Sequence, residues 1–229
     1  MSAAVSAPPF VAEWHLAGDV RVVSTGWAHG DMAGSSPAVE GRRRRVVELP
    51  WTVLQQVHGS RVVTVERPGD GSGEAADAAV TSSAQAALAV LTADCAPVAM
   101  ASPEGIVGVA HAGWKGLRAG VVEATVQSMR RLGATRVEAV LGPCIHPCCY
   151  TFGDEDLMEL EARLGRHVRS SDREGRPALD LPAGVGTAVH NAGAVLVGQS
   201  GLCTGCGGGL WSWRAARTAR RQATVAWRA

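Results

Sequence analysis

Val107-Gly108-Val109-Ala110-His111-Ala112-Gly113-Trp114-Lys115-Gly116 is the stretch that decides the fold, because an apolar strand runs through a histidine and a glycine into a helical pattern. Strand ends that feed helices are where α/β proteins build their sites. Outward from it, Ile106 to Ala110 reads as the strand. Lys115 to Leu132 reads as the helix, with Val122, Val126 and Met129 sharing a face with Thr125 and Leu132 before Gly133 stops it. Further out, Trp51 to Val57 and Arg61 to Glu66 read as strands joined at His58-Gly59-Ser60, so His58 is expected at a turn. Ala87 to Thr92 and Val98 to Ala101 are apolar runs flanking Asp94-Cys95-Ala96-Pro97, where the proline predicts that the chain leaves regular pairing. Arg136 to Leu141 repeats the strand pattern, Asp154 to Leu164 reads as an amphipathic surface helix, and another helix is expected within Leu181 to Ala192. Mixed α and β elements packed in layers follow.

A chain of 229 residues buries a sizeable core without needing two domains, and no repeat or linker marks a boundary, so one domain spanning 1–229 is expected. The net charge of +1 argues against nucleic-acid and membrane-surface partners and leaves small molecules. Met1 to Pro9 has no basic start followed by an apolar run, and the best apolar stretch, Ala86 to Ala101, is short and interrupted by Asp94. A cytoplasmic protein is expected, as a monomer or homodimer, with its six cysteines reduced.

The chemistry centres on His58, Cys95 and His111. A single histidine after a strand is ordinarily a hydrogen-bonded structural residue, and a lone cysteine a small buried hydrophobe. Taken together, two imidazoles and one thiolate suit a tetrahedral zinc ion whose fourth position is left for water or substrate. Lysine occurs once among 22 basic residues, at Lys115 inside the opening motif. Lys115 and Arg118 begin the expected helix, where free N–H groups favour an anion, so either they are solvated or they help to hold a phosphate. The run Arg42 to Arg45 is short, lacks interleaved aromatics and reads as a solvated face. Cys203-Thr204-Gly205-Cys206 has the spacing of half a zinc knuckle or a redox pair, but no second Cys-x-x-Cys follows. Cys144, Cys148 and Cys149 would complete a second metal site only through a tertiary contact that spacing does not reveal, and this reading disfavours one. The arginine- and tryptophan-rich tail from Trp211 to Arg221 reads either as a stacking surface or as an amphipathic terminal helix.

In order and spacing, six pieces resemble the laccase-domain proteins, described both as polyphenol oxidases and as purine nucleoside phosphorylases. They are Gln56-Val57-His58-Gly59, Ala76 to Thr81, Ala93 to Val98, His111 to Gly116, Gly142 to Ile145 with Cys149-Tyr150, and Cys203-Thr204, together covering about residues 40 to 225. The resemblance implies a layered α/β/β/α fold with mixed sheets, similar to the catalytic domain of cytotoxic necrotizing factors. It implies phosphorolysis of adenosine, inosine, guanosine and S-methyl-5'-thioadenosine, with adenosine deamination, and zinc on His58, Cys95 and His111. This chain departs from the family at Thr25-Gly26-Trp27-Ala28-His29-Gly30, where an arginine is missing, and at Ser212-Trp213-Arg214-Ala215, where one basic residue of a pair is lost.

For deamination the candidate proton shuttle is Asp94, acting with Cys95 and His111. For phosphorolysis Lys115, Arg118 or Arg42 would hold the phosphate. The rival within enzymes is copper-dependent phenol oxidation, which physics disfavours: the chain has seven histidines and no His-x-His pair. Copper(II) on the same three donors stays open because it outcompetes zinc on affinity. The rival outside enzymes is a non-catalytic metal-binding module.

Overall fold

The computed structural model describes residues 8–229, so most of the Met1–Pro9 stretch read for a secretory signal lies outside the described residues. Strands and helices are numbered in chain order. One sheet runs β1 (Ala12–Leu16), β2 (Val20–Ser24), β13 (Gln222–Arg228), β6 (Ala87–Thr92), β3 (Trp51–Val53). The other runs β12 (Val195–Gln199), β9 (Glu138–Leu141), β7 (Ala96–Ala101), β8 (Val107–Ala112), β5 (Ala78–Thr81), β4 (Val62–Thr64). Both are mixed: β3 is parallel to β6, β4 to β5 and β12 to β9, while the remaining pairs are antiparallel. A separate ribbon pairs β10 (Arg169–Ser171) with β11 (Pro177–Leu179). The helices are α1 (Pro37–Val46), α2 (Trp114–Ala119), α3 (Val121–Arg131), α4 (Asp154–Leu164), α5 (Leu181–Asn191) and α6 (Trp213–Ala216).

Successive strand side chains point to opposite faces, and that alternation sorts the core into three layers. Val107 and Val109 of β8, with Ala99 and Ala101 of β7, meet Val20, Val22, Leu88 and Val90 of the first sheet. Ala110 and Ala112, with Val98 and Met100, face the other way against Leu117, Val122, Val126, Met129 and Val185 from the helices. Ala87, Ala89, Val225 and Trp227 turn outward beneath Met32 and Val46, where α1 covers the first sheet. Helix, sheet, sheet and helices therefore stack in the expected α/β/β/α order, each buried Leu or Val contributing about 1.5–3 kcal/mol over exposure.

Five expectations need correction. The helix from Lys115 to Leu132 is two helices, because Gly120 sits at φ +84° and its N–H closes α2 on the carbonyls of Gly116 and Leu117. That left-handed conformation favours glycine, and Arg163 Nε donates to the Leu117 carbonyl at 3.0 Å, so the end of α2 is capped from α4. Pro97 does not end pairing. It lies inside β7 opposite His111, at the end where the β9 ladder has not begun, and its carbonyl accepts from the Gly142 N–H at 3.0 Å. The strand read from Trp51 to Val57 stops at Val53, and that from Arg61 to Glu66 spans only Val62–Thr64. The tail is helical only over Trp213–Ala216; β13 then runs down the middle of the first sheet.

Candidate metal centre

Asp77 is the residue around which the site is built. It directly precedes β5, is 1% exposed, and its carboxylate accepts from the backbone N–H of His58 at 2.8 Å, Gly59 at 2.7 Å and Val57 at 3.2 Å. Those bonds hold the turn in which His58 adopts φ +62°, a left-handed conformation uncommon outside glycine. His111, at the end of β8, bonds to the same carboxylate through Nδ1 at 2.8 Å, while its N–H donates to the Asp77 carbonyl at 2.7 Å. With Nδ1 committed, Nε2 is the atom His111 has to offer a ligand. Burial alone would raise the Asp77 carboxyl, but the bonds from His111, Gly59 and His58 outweigh it and hold it below the usual carboxylate range.

Cys95 reaches the same spot from the β6–β7 turn. The turn is held by Asp94 at φ +111°, a strained conformation for a non-glycine residue. Asp94 accepts from Thr204 Oγ1 at 2.7 Å and from the Arg214 N–H at 2.6 Å through its carboxylate, and from the Ile145 N–H at 2.8 Å through its carbonyl. With each carboxylate oxygen engaged, Asp94 suits the anchoring of Cys95 better than the proton shuttling expected of it.

One ligand atom from each of His58, Cys95 and His111 lies within 4.8 Å of the others, and Cys95 Sγ is 3.8 Å from His58 Nε2. Nitrogen and sulfur donors on one tetrahedral zinc ion are roughly 3.5 Å apart, so the set needs little movement to close on a cation. Gly113 permits the approach: a Cβ there would fall 2.9 Å from Cys95 Sγ and 3.1 Å from the His58 ring. Burial opposes charge on both Cys95 and His111. Contacts with His111 and then His58 outweigh it for the thiol, and the bond to Asp77 and then the contact with Cys95 outweigh it for the imidazole, so the thiol is held down at about 6 and the imidazole raised to about 9. These shifts favour a thiolate beside an imidazolium, and a cation held by the three donors would displace the imidazole proton.

The three donors lie at one side of a cleft of about 490 Å³, a volume suited to a small-molecule ligand. Trp114, Tyr150 and Trp213 supply aromatic surface, and Lys115, Arg214 and Arg221 supply positive charge. The Arg214 guanidinium lies over the Tyr150 ring, 4.9 Å from its centroid. Gln56 ties the His58 turn to β6 by bonding both the N–H and the carbonyl of Leu91 at 2.8 Å.

Of the three cations expected to hold phosphate, only Lys115 lines this cleft. Arg118 instead pairs with Glu159 and packs on Trp114, and Arg42 donates to the Asp31 carbonyl at 2.7 Å beside a smaller cavity under Phe10 and His29. Arg214 and Arg221 line the cleft beside Lys115. Asp77 and Tyr150 lie in motifs quoted above, where a carboxylate opening an apolar strand was the available signal for Asp77. Arg221 carried no signal of its own.

A family model described as multi-copper polyphenol oxidoreductase laccase matches residues 20–229. The chain belongs to this family. It is 38% identical over 204 residues to a purine nucleoside phosphorylase of Streptomyces coelicolor, covering 87% of this chain and 81% of that one. It is 37% identical over 212 residues to a purine nucleoside phosphorylase of Streptomyces griseus, covering 86% and 85%. Among solved structures, a Neisseria meningitidis protein superposes with a TM-score of 0.80 at 26% identity, over 94% of this chain and 97% of that one. YlmD from Geobacillus stearothermophilus superposes with a TM-score of 0.75 at 27% identity, over 91% of each. Among the described residues, no helix is long and apolar enough to cross a membrane.

Proposed function

We propose that this protein is a zinc-dependent purine nucleoside phosphorylase, converting adenosine, inosine, guanosine and S-methyl-5'-thioadenosine with phosphate to the free base and ribose 1-phosphate, and that it also deaminates adenosine. The observation that carries the reading is the juxtaposition of a His58-Cys95-His111 donor set with an aromatic, cationic cleft of nucleoside size. The names of the Streptomyces relatives point the same way. Three protein donors leave a cation one open position, the arrangement of catalytic rather than structural zinc. When bound there, the ion would supply Lewis-acid polarisation of a water or substrate atom.

The chain's own residues supply the rest. Trp114, Tyr150 and Trp213 offer planes for a purine, and Lys115, Arg214 and Arg221 offer the charge a phosphate dianion needs. In phosphorolysis a phosphate oxygen bonds to the ribose C1' as the bond to the base nitrogen breaks, and the base leaves with a proton. Positioning that dianion under a ribose with developing positive charge is the work of the three cations. In deamination water adds to the purine carbon and ammonia leaves. Asp77 keeps the His111 ring oriented throughout.

Metal-quantified protein incubated with adenosine tests the reading. Adenine should form only when phosphate is present, and inosine should form without it. Protein with its donor set filled that turns over neither reaction would instead be a metal-binding module.

A further inference from the structure

Cys148 and Cys149 sit on a tight turn over Pro147–Cys149, and far from them in sequence Cys203 precedes, and Cys206 ends, another over Thr204–Cys206. The fold presses these turns together. Cys148 Sγ lies 3.7 Å from that of Cys149, 3.8 Å from that of Cys203 and 3.5 Å from that of Cys206, and Cys149 Sγ is 3.6 Å from that of Cys206. All four sulfurs fall within 4.8 Å of one another. The expectation that no second donor group forms is thereby corrected: the missing half of the Cys-x-x-Cys pair comes from a vicinal pair 55 residues upstream.

We propose that Cys148, Cys149, Cys203 and Cys206 bind a structural zinc ion, distinct from any ion on His58, Cys95 and His111. Four sulfurs at about 2.3 Å around a tetrahedral ion are about 3.8 Å apart edge to edge, close to the spacings here. Soft thiolates in that geometry select zinc over hard divalent cations. Two donors already point at the sulfurs: the His146 N–H lies 3.3 Å from Cys203 Sγ and Arg173 Nη2 lies 2.9 Å from Cys206 Sγ. Such contacts offset the surplus negative charge of a tetrathiolate. Gly205 permits the crossing, since a Cβ there would fall 2.6 Å from Cys149 Cβ. Four protein ligands close the coordination sphere, so the role is mechanical. The two turns it would join carry Tyr150 into the cleft and Thr204 onto Asp94. Cys144 is not a member; it is buried beneath and pairs with Cys203 through the backbone.

The test is metal content, with variants that separate the two donor groups. Full-length protein is purified with zinc and freed of loose metal. His58→Ala/His111→Ala protein is expected to keep one zinc per chain, released when an organomercurial titrates the four thiols. Cys148→Ser/Cys206→Ser protein is expected to lose that ion alone. If the serine variant does not fold, cobalt is loaded into the His58→Ala/His111→Ala protein, where intense thiolate-to-cobalt charge-transfer bands are expected. A histidine variant with no bound zinc, a folded serine variant with undiminished zinc, cobalt without thiolate bands, or iron in place of zinc would each overturn the proposal. Failure of the nucleoside reading leaves all of these readouts unchanged.

Discussion

The two donor groups differ in what surrounds the sulfur. Around His58, Cys95 and His111 there are three donors, a carboxylate holding two of them, and an open cleft; around the cysteine quartet there are four thiols and two N–H donors. A site that must turn over substrate needs a vacant position and ligands locked from behind, whereas a site that only joins two turns needs neither.

The largest effect that would break this contrast comes from His111→Ala, expected to lower nucleoside turnover below detection while leaving the quartet's ion in place. Full turnover in that variant, by chromatography of the products, would put the chemistry elsewhere. Next, Asp77→Asn keeps the shape but removes charge from behind His58 and His111, and should weaken metal affinity by about 10–100-fold, measured by chelator competition. No loss would mean that the buried carboxylate serves folding alone.

Smaller effects sharpen the cleft itself. Arg221→Ala should raise the KM for phosphate by roughly 10-fold, the scale of one charged hydrogen bond, while Arg118→Ala, which removes the pair with Glu159, should leave it unchanged. The reverse result would restore the helix-start reading of the phosphate site. Finally, in metal-free protein Cys95 should alkylate with a rate that climbs as pH rises through about 6, where the thiolate forms, against about 8.5 for an unperturbed thiol. Mass spectrometry with Cys95→Ser as the blank reads this, and a midpoint near that of a free thiol would remove the His111 ion pair.

The donor residues were legible because each stands at a break in an apolar pattern: His58 at Gly59, Cys95 before Pro97, His111 at the end of β8. The bounds of β6 and α4 were equally legible, since their period is local, and β7 and β8 were located with their ends misplaced. What was hidden depends on contacts across the fold. β13 follows an arginine-rich segment that reads as helix, and only pairing with β2 and β6 makes it a central strand. The α2–α3 break at Gly120 is capped by Arg163 from α4, and the cysteine quartet is formed by two turns brought together from residues 147–149 and 204–206. Lys115 and Arg118 are one helical turn apart, yet only Lys115 lines the cleft, because α2 packs against α4 and Arg118 pairs there with Glu159.

The most direct measurement is a zinc titration of metal-free protein in adenosine and phosphate, with Cys95 alkylation followed in parallel. Turnover is expected to rise in step with the protection of Cys95 and to saturate when protection is complete. Full turnover while Cys95 still alkylates freely would contradict a catalytic ion on His58, Cys95 and His111.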